Sequence, residues 1–328
     1  MSNLDPNRVR LQPALEQVPF AGAAAPRGTH VLDGVSVVVP AYNEEHGLRA
    51  VLEQLQQVMA ASGFASEIII VDDGSEDATA AACAGFDGVT VLRHGLNRGY
   101  GAALKTGIRH ARHDVICITD ADGTYPNERI PELVVRLRAE NAHMVVGARS
   151  GAKVAIPLVR RPAKWMIGRL ANWISDETIP DINSGLRVFR RDVALRFFRL
   201  LPDSFSFTTT ITLAMLTNGF RVRYVPVNYY TRVGKSKIHP IRDTLNFVQL
   251  ILRIGLYFAP LKIFMSLSLI LLMLAIVWGA VSALVFGRLA DVSTIVIVMT
   301  AVQVAGVGLL AELINHRVPF FWNDEEEP

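Results

Sequence analysis

The sequence predicts an α/β protein built on a doubly wound, mostly parallel sheet, followed by an amphipathic helix and a two-helix membrane hairpin. Two observations carry this reading. Short, continuous, β-branched runs alternate with helical segments through the first two thirds of the chain, and two long apolar runs close the last third. Continuous apolar runs suit strands buried on both faces, and strand–helix alternation implies right-handed crossovers.

The strands are expected at Val35–Val39, Ile68–Val71, Val89–Leu92, Val115–Thr119 and Met144–Val146, with shorter ones at Leu186–Phe189 and Val222–Val227. Helices are expected at about Glu45–Ala61, Asp77–Ala84, Tyr100–Ala111, Ile130–Glu140 and Phe207–Leu216. From Ile241 to Phe258, Arg242, Asn246, Gln249 and Arg253 recur at spacings of 4, 3 and 4, with Leu245, Val248, Leu252 and Leu256 towards the other side. That pattern reads as an amphipathic helix lying in a membrane interface, or packed against the α/β domain.

Ile263–Phe286 and Val292–Leu313 are each long enough to cross a bilayer, which takes ~20 helical residues. Only Gly287–Asp291 separates them. Arg253 and Lys262 precede the pair, and His316 and Arg317 follow it. The positive-inside rule then places both ends, and the large N-terminal domain, in the cytosol at the cytoplasmic membrane. Residues 1–34 show no apolar signal-peptide core and read as a flexible leader, and Asp324–Glu327 read as a solvated acidic tail. The resulting divisions are a leader (1–34), an α/β domain (35–237), the amphipathic helix (238–260), the hairpin (261–315) and the tail (316–328).

A net charge of +3 over 328 residues argues against nucleic acid as the main partner. Cys83 and Cys117, the two cysteines, fall in predicted core elements and suggest no disulfide framework. A dinucleotide fold is disfavoured: Leu104 stands where the third glycine after Gly99-Tyr100-Gly101 would be, and Pro40–Glu44 has no glycine.

Ligands of such sheets bind beyond the carboxyl ends of the strands. There the chain places Tyr42-Asn43-Glu44, Asp72-Asp73 and Asp120-Ala121-Asp122. Side chains in an extended segment alternate, so Asp120 and Asp122 are expected to point the same way, and two such carboxylates suit Mg²⁺ or Mn²⁺ bridging to a diphosphate. The alternative is a solvated acidic turn. Downstream, Lys153, Arg160, Arg161, Lys164 and Arg169 form a basic segment that fits a membrane surface, a phosphate, or a solvated helix face. Tyr230–Lys237 brings three cations and a hydroxyl around Gly234, a pattern able to wrap a phosphate.

Together, Val37-Val38-Val39-Pro40-Ala41-Tyr42-Asn43-Glu44, Val71-Asp72-Asp73-Gly74-Ser75 and Asp120-Ala121-Asp122 resemble the inverting nucleotide-sugar transferases of family 2, which have the GT-A fold. Gly147-Ala148-Arg149, Ser184-Gly185 and Arg232-Val233-Gly234-Lys235-Ser236-Lys237 resemble that family's polyprenyl-phosphate branch. The resemblance covers about residues 35–315 and implies the following roles. Pro40, Tyr42, Glu44 and Asp72 or Asp73 line the donor's base and ribose pocket, and Arg98 and Gly99 flank the donor. Asp120 and Asp122 hold the cation on the diphosphate. Arg149, Arg232 and Lys237, assisted by Ser236 and less directly by Arg161, hold the acceptor phosphate. The donor is a nucleotide-sugar, with a UDP-sugar favoured over GDP-mannose; the acceptor is a polyprenyl phosphate such as undecaprenyl phosphate. A homo-oligomer is compatible with the sequence. Gly123-Thr124 stand where many of these synthases have Leu-Gln, which leaves one metal-coordination position without a residue. The absence of a Gln-x-x-Arg-Trp motif sets polymer synthesis aside. A non-catalytic adaptor that binds a nucleotide-sugar, or a transferase acting on another lipid, are the alternatives.

Overall fold

The structure is a computed structural model and describes residues 34–149, 161–230, 240–286 and 292–317. The leader, the Arg232–Lys237 loop, the Gly287–Asp291 connection and the acidic tail therefore lie outside the described residues, as does the Arg161 side chain.

Seven strands form one sheet: β1 (Gly34–Ala41), β2 (Ala65–Asp72), β3 (Val89–Arg93), β4 (Val115–Ile118), β5 (Met144–Arg149), β6 (Arg187–Arg190) and β7 (Val222–Val227). Their order is β3-β2-β1-β4-β6-β5-β7. All neighbouring pairs are parallel except those made by β6, which runs antiparallel between β4 and β5. Apolar periodicity marks β6 as a strand and does not give its direction. The reversal brings the start of β6 to the sheet edge where the parallel strands end.

Ten α-helices and a short 3-10 helix (Asn127–Arg129) complete the described chain: α1 (Leu48–Ser62), α2 (Thr79–Ala82), α3 (Tyr100–His110), α4 (Ile130–Ala139), α5 (Arg161–Ser175), α6 (Arg191–Arg196), α7 (Phe207–Thr217), α8 (Pro240–Phe258), α9 (Pro260–Phe286) and α10 (Val292–Arg317). The Asp77–Ala84 expectation shrinks to the single turn of α2, and α6 is an addition. Strand alternation divides the core. Val35, Val37 and Val39 pack with Leu52, Leu55, Leu133 and Leu137 of α1 and α4. Val38, Ile69 and Val71 face Leu104, Ile108, Phe207 and Ile211 of α3 and α7. Burial on both faces explains why the central strands lack polar alternation, whereas the edge strand β7 exposes Arg223 and Pro226.

The amphipathic helix packs against the α/β domain, the alternative reading of its pattern, through one of its sides. Ile251 and Ile254 of α8 are buried with Ala171, Ile174 and Leu213 of α5 and α7. Leu252, Leu256 and Tyr257 remain exposed. The helix thus carries two apolar surfaces, one used by the α/β domain and one facing outward. Ile254→Ala is expected to destabilise the protein by about 2–4 kcal/mol through a packing defect. Leu256→Ala should change stability by less than about 0.5 kcal/mol. Thermal unfolding of both variants in one detergent checks the pair; equal losses would contradict the two-surface description.

Candidate active site

The site is built where β1, β2, β4, β5 and β7 end and β6 begins. After β1, Asn43 adopts a left-handed conformation (φ 55°). Its N–H donates to Ser75 Oγ (3.0 Å) and its Oδ1 accepts from Glu76 N–H (3.0 Å). Glu44 N–H donates to Thr79 Oγ1 (2.9 Å). These bonds lace the first turn to the second. Pro40 is buried at the end of β1, while Tyr42 is 37% exposed at the rim.

Asp72 and Asp73 are both buried. Asp72 Oδ1 accepts from Ser75 N–H (2.9 Å), and Oδ2 lies 3.2 Å from Arg93 Nε without hydrogen-bond alignment. Asp73 accepts from the N–H groups of Arg98 (2.9 Å) and Gly99 (2.7 Å), and its Oδ1 is 2.6 Å from His94 Nδ1. Asp73 therefore shapes the loop that carries exposed Arg98 and Gly99. Gly99 has φ 102°, and a Cβ there would sit 2.3 Å from Asp203 O, so a side chain is excluded by conformation and by space.

Sheet pleating does not set the directions of Asp120 and Asp122, because β4 stops at Ile118 and the acids lie beyond it. Asp122 Oδ1 accepts from both Thr124 N–H (3.1 Å) and Thr124 Oγ1–H (2.6 Å), which closes a local turn. Asp120 Oδ1 accepts from Tyr100 O–H at 3.1 Å. Burial, and then the Asp120 charge, push the Tyr100 phenol well above its ordinary value, so it stays a donor at neutral pH. The Tyr100 ring stacks on Phe205, with centroids 5.3 Å apart. Gly185 supplies the other wall: a Cβ there would lie 2.6 Å from Asp120 Oδ2.

The Asp181–Gly185 loop is held at several points. Gly185 N–H donates to Tyr125 Oη (2.7 Å), and Ser184 O–H donates to Gly147 O (2.5 Å). Asp181 accepts from Arg149 Nε (2.6 Å) and Nη2 (2.8 Å), a two-pronged pair that commits the Arg149 guanidinium. Burial alone would raise Asp181, but the hydrogen bonds and charge of Arg149 outweigh it and hold the carboxyl below its ordinary range. Arg149 also lies over the Tyr229 ring at 5.3 Å. Tyr230 N–H donates to Thr124 O (2.9 Å), so the chain enters the Arg232–Lys237 segment from directly beside the acid turn.

Tyr100, Tyr125, Asp181 and Arg187 are participants that residue patterns did not assign. Arg187 carried a signal: a lone cation inside an apolar strand run, Leu186–Phe189, needs a reason to be buried. Among the described residues, no cluster of three or more His, Cys, Asp or Glu could enclose a metal alone. Two carboxylates do fit a hard cation that takes its other ligands from a diphosphate and water.

This arrangement is that of a glycosyltransferase, and the chain belongs to glycosyl transferase family 2, whose model matches residues 36–198. Residues 259–316 match the GtrB C-terminal hairpin. An undecaprenyl-phosphate 4-deoxy-4-formamido-L-arabinose transferase of Klebsiella pneumoniae is 30% identical over 297 residues, covering 86% of this chain and 88% of the relative. An uncharacterized Methanocaldococcus jannaschii protein is 32% identical over 213 residues, covering 62% of this chain and 85% of that protein. Glucosyl-3-phosphoglycerate synthase from Mycobacterium tuberculosis, solved with Mg²⁺ and UDP, shares the fold with a TM-score of 0.54 and 20% identity, covering 68% of this chain and 79% of that one.

The Asp181 pair has a pH signature. Its folded carboxyl sits below the unfolded value of about 3.9, so its stabilisation is full above that pH and disappears as pH falls through the folded value. Asp181→Asn should be less stable than wild type at pH 7, by about 2–4 kcal/mol, with the gap narrowing below about pH 4. Denaturant unfolding across pH checks this; a constant gap would contradict it.

Proposed function

We infer that the protein transfers a sugar from a nucleotide-sugar, preferably a UDP-sugar, to a polyprenyl phosphate at the cytosolic face of the cytoplasmic membrane, inverting the anomeric centre. The observation that carries this reading is Tyr230 hydrogen-bonded to Thr124, which ties the acid turn to the chain leading into the cation-rich loop and the hairpin. The Klebsiella relative is named for undecaprenyl phosphate, and the Mycobacterium fold neighbour was solved with UDP and a divalent cation.

In this reading Tyr42, Glu44, Arg98 and Gly99 bound the donor, with Pro40, Asp72 and Asp73 setting the turns beneath it. Asp120 and Asp122 hold Mg²⁺ or Mn²⁺, which when bound neutralises charge on the leaving diphosphate. Tyr100 and Gly185 keep Asp120 in place. An oxygen of the acceptor phosphate attacks the anomeric carbon opposite the diphosphate. One C–O bond forms as the other breaks, and inversion follows. That oxygen is already anionic at neutral pH, so no strong general base is needed. Arg232 and Lys237, with Ser236, offset repulsion between the two anions. Arg149 is shared with Asp181 and serves the acceptor through residual field, and Arg161 contributes from α5. Both chain termini lie in the cytosol.

Asp122→Asn preserves shape and removes a ligand charge, so activity should fall about 100-fold or more with the fold intact. Lipid-product formation together with the circular dichroism spectrum checks this; near-wild-type turnover, or activity indifferent to chelator, would sink the metal assignment. Arg232→Ala and Lys237→Ala should each weaken use of polyprenyl phosphate roughly 10- to 100-fold, with nucleotide-sugar affinity little changed. Kinetics in neutral detergent, varying each substrate separately, separates the two. Collapse of donor affinity with unchanged acceptor dependence would move the loop to the donor side.

A further inference from the structure

Among the described residues of the α/β domain, Phe205 is the most exposed large apolar side chain, at 77%. The backbone that carries it is fixed. Asp203 O accepts from the N–H groups of Gly101 (2.9 Å) and Ala102 (3.2 Å), and Lys105 Nζ donates to Asp203 Oδ1 (2.7 Å). A Cβ on Gly101 would lie 2.1 Å from Pro202 O, so this segment rests directly on the first turn of α3. One face of the Phe205 ring stacks on Tyr100, with the planes 18° apart. Its exposure leaves the other face open.

Asn183 comes to the same place from the Asp181–Gly185 loop. It stands two residues before Gly185, which walls Asp120. Its Oδ1 accepts from Thr209 O–H (2.5 Å), a hydroxyl with no solvent exposure near the start of α7. Thr209 follows Phe205 by four residues, so the start of α7 holds Asn183 and the loop entering it holds Phe205. Among the described residues Asn183 Nδ2 has no hydrogen-bond partner, although the residue is half-buried. A carboxamide fixed by its oxygen keeps two N–H donors for something else.

We propose that Phe205 and Asn183 receive the sugar ring of the nucleotide-sugar and together select which sugar is transferred. Phe205 stacks on a C–H face of the ring, and Asn183 donates to an oxygen substituent on it. Both residues are reached from Asp120 in one step, one through Tyr100 and one through Gly185. A sugar hanging from a diphosphate held at Asp120 and Asp122 is the group that lies next. The isoprenoid of the acceptor is the other apolar candidate, but its cation-rich segment is entered beside Thr124. Tyr125 and Tyr229 on that side pack in the layer of α1 and α4, whereas Tyr100 and Phe207 pack in the layer of α3 and α7, across the sheet. The inference rests on the functional reading above and names the sugar subsite of that site.

The test uses the full chain in neutral detergent with undecaprenyl phosphate and, in turn, UDP-glucose, UDP-galactose, UDP-N-acetylglucosamine and GDP-mannose. Phe205→Ala should lower kcat/KM for the preferred donor about tenfold; Phe205→Tyr should keep most of it, and Phe205→Leu, apolar but not flat, should not. Asn183→Leu combined with Thr209→Val, which removes the hydroxyl that would lose its partner, should shrink the preference for the best donor over the next by about tenfold. The inhibition constant of UDP with Mg²⁺ should stay within about twofold in every variant. Weaker UDP with an equal loss for all donors would mean that these residues only hold Tyr100 and Asp120, and would overturn the subsite. So would a loss that follows the acceptor, undecaprenyl against geranyl phosphate, with donor dependence unchanged; that result would give Phe205 to the isoprenoid. Lipid product from wild type with kcat/KM unchanged in the variants would sink the subsite alone. No product from wild type with any of the four donors would sink the functional reading, and the subsite with it.

Discussion

The site depends on one buried cation. Arg187 opens β6 with no solvent exposure. Its Nε donates to Ser184 O (3.0 Å), Nη1 to Thr208 O (2.9 Å) and Thr212 Oγ1 (2.8 Å), and Nη2 to Ser184 O and Ile182 O. A buried charge is tolerated only when its donors are satisfied, and here neutral oxygens do so. Burial pulls the guanidinium below its ordinary value, yet arginine keeps its proton under physiological conditions. The result is a rivet between the Asp181–Gly185 loop and α7. From that loop Asp181 reaches Arg149, Ser184 reaches Gly147, and Gly185 presses on Asp120. The close approach of Gly185 to Asp120 is thus fixed by a residue that touches no solvent.

The acids at the strand ends divide into two kinds. Asp72 and Asp73 are buried, and each accepts from backbone N–H groups of the loop that follows it in space, which shapes those turns. Asp120 and Asp122 are partly exposed and held by hydroxyls. Similar sequence clusters therefore serve different physical ends, and burial separates them.

Much of this was legible in the chain. Apolar and β-branched runs located all seven strands; the central ones are buried on both faces, while the edge strands β3 and β7 keep exposed positions. Hydropathy located the hairpin because a bilayer demands length. The direction of β6 was not legible, since an apolar strand reads alike in either sense. Nor was the turn at Asp122, where Thr124 overrides extension through a side-chain bond that no periodicity encodes. The Arg149–Asp181 pair joins residues 32 apart in the sequence, and only the sheet brings them together. The phosphate-loop pattern at Arg232–Lys237 was visible as chemistry, while its geometry lies outside the described residues.

The hydrogen bond from Tyr230 to Thr124 also acts as a fixed point on a short leash. From Tyr230, moored at the acid turn, to Pro240, where α8 begins, the chain has ten peptide steps. Fully drawn out, that segment spans at most about 35 Å. The distance between the acid turn and the start of the helix that feeds the hairpin therefore has a ceiling set by residue count alone. A lengthened tether would relax that ceiling with every described side chain around the acid turn unchanged, so the reach from the acid turn to the hairpin is a property of chain length as well as of surface chemistry.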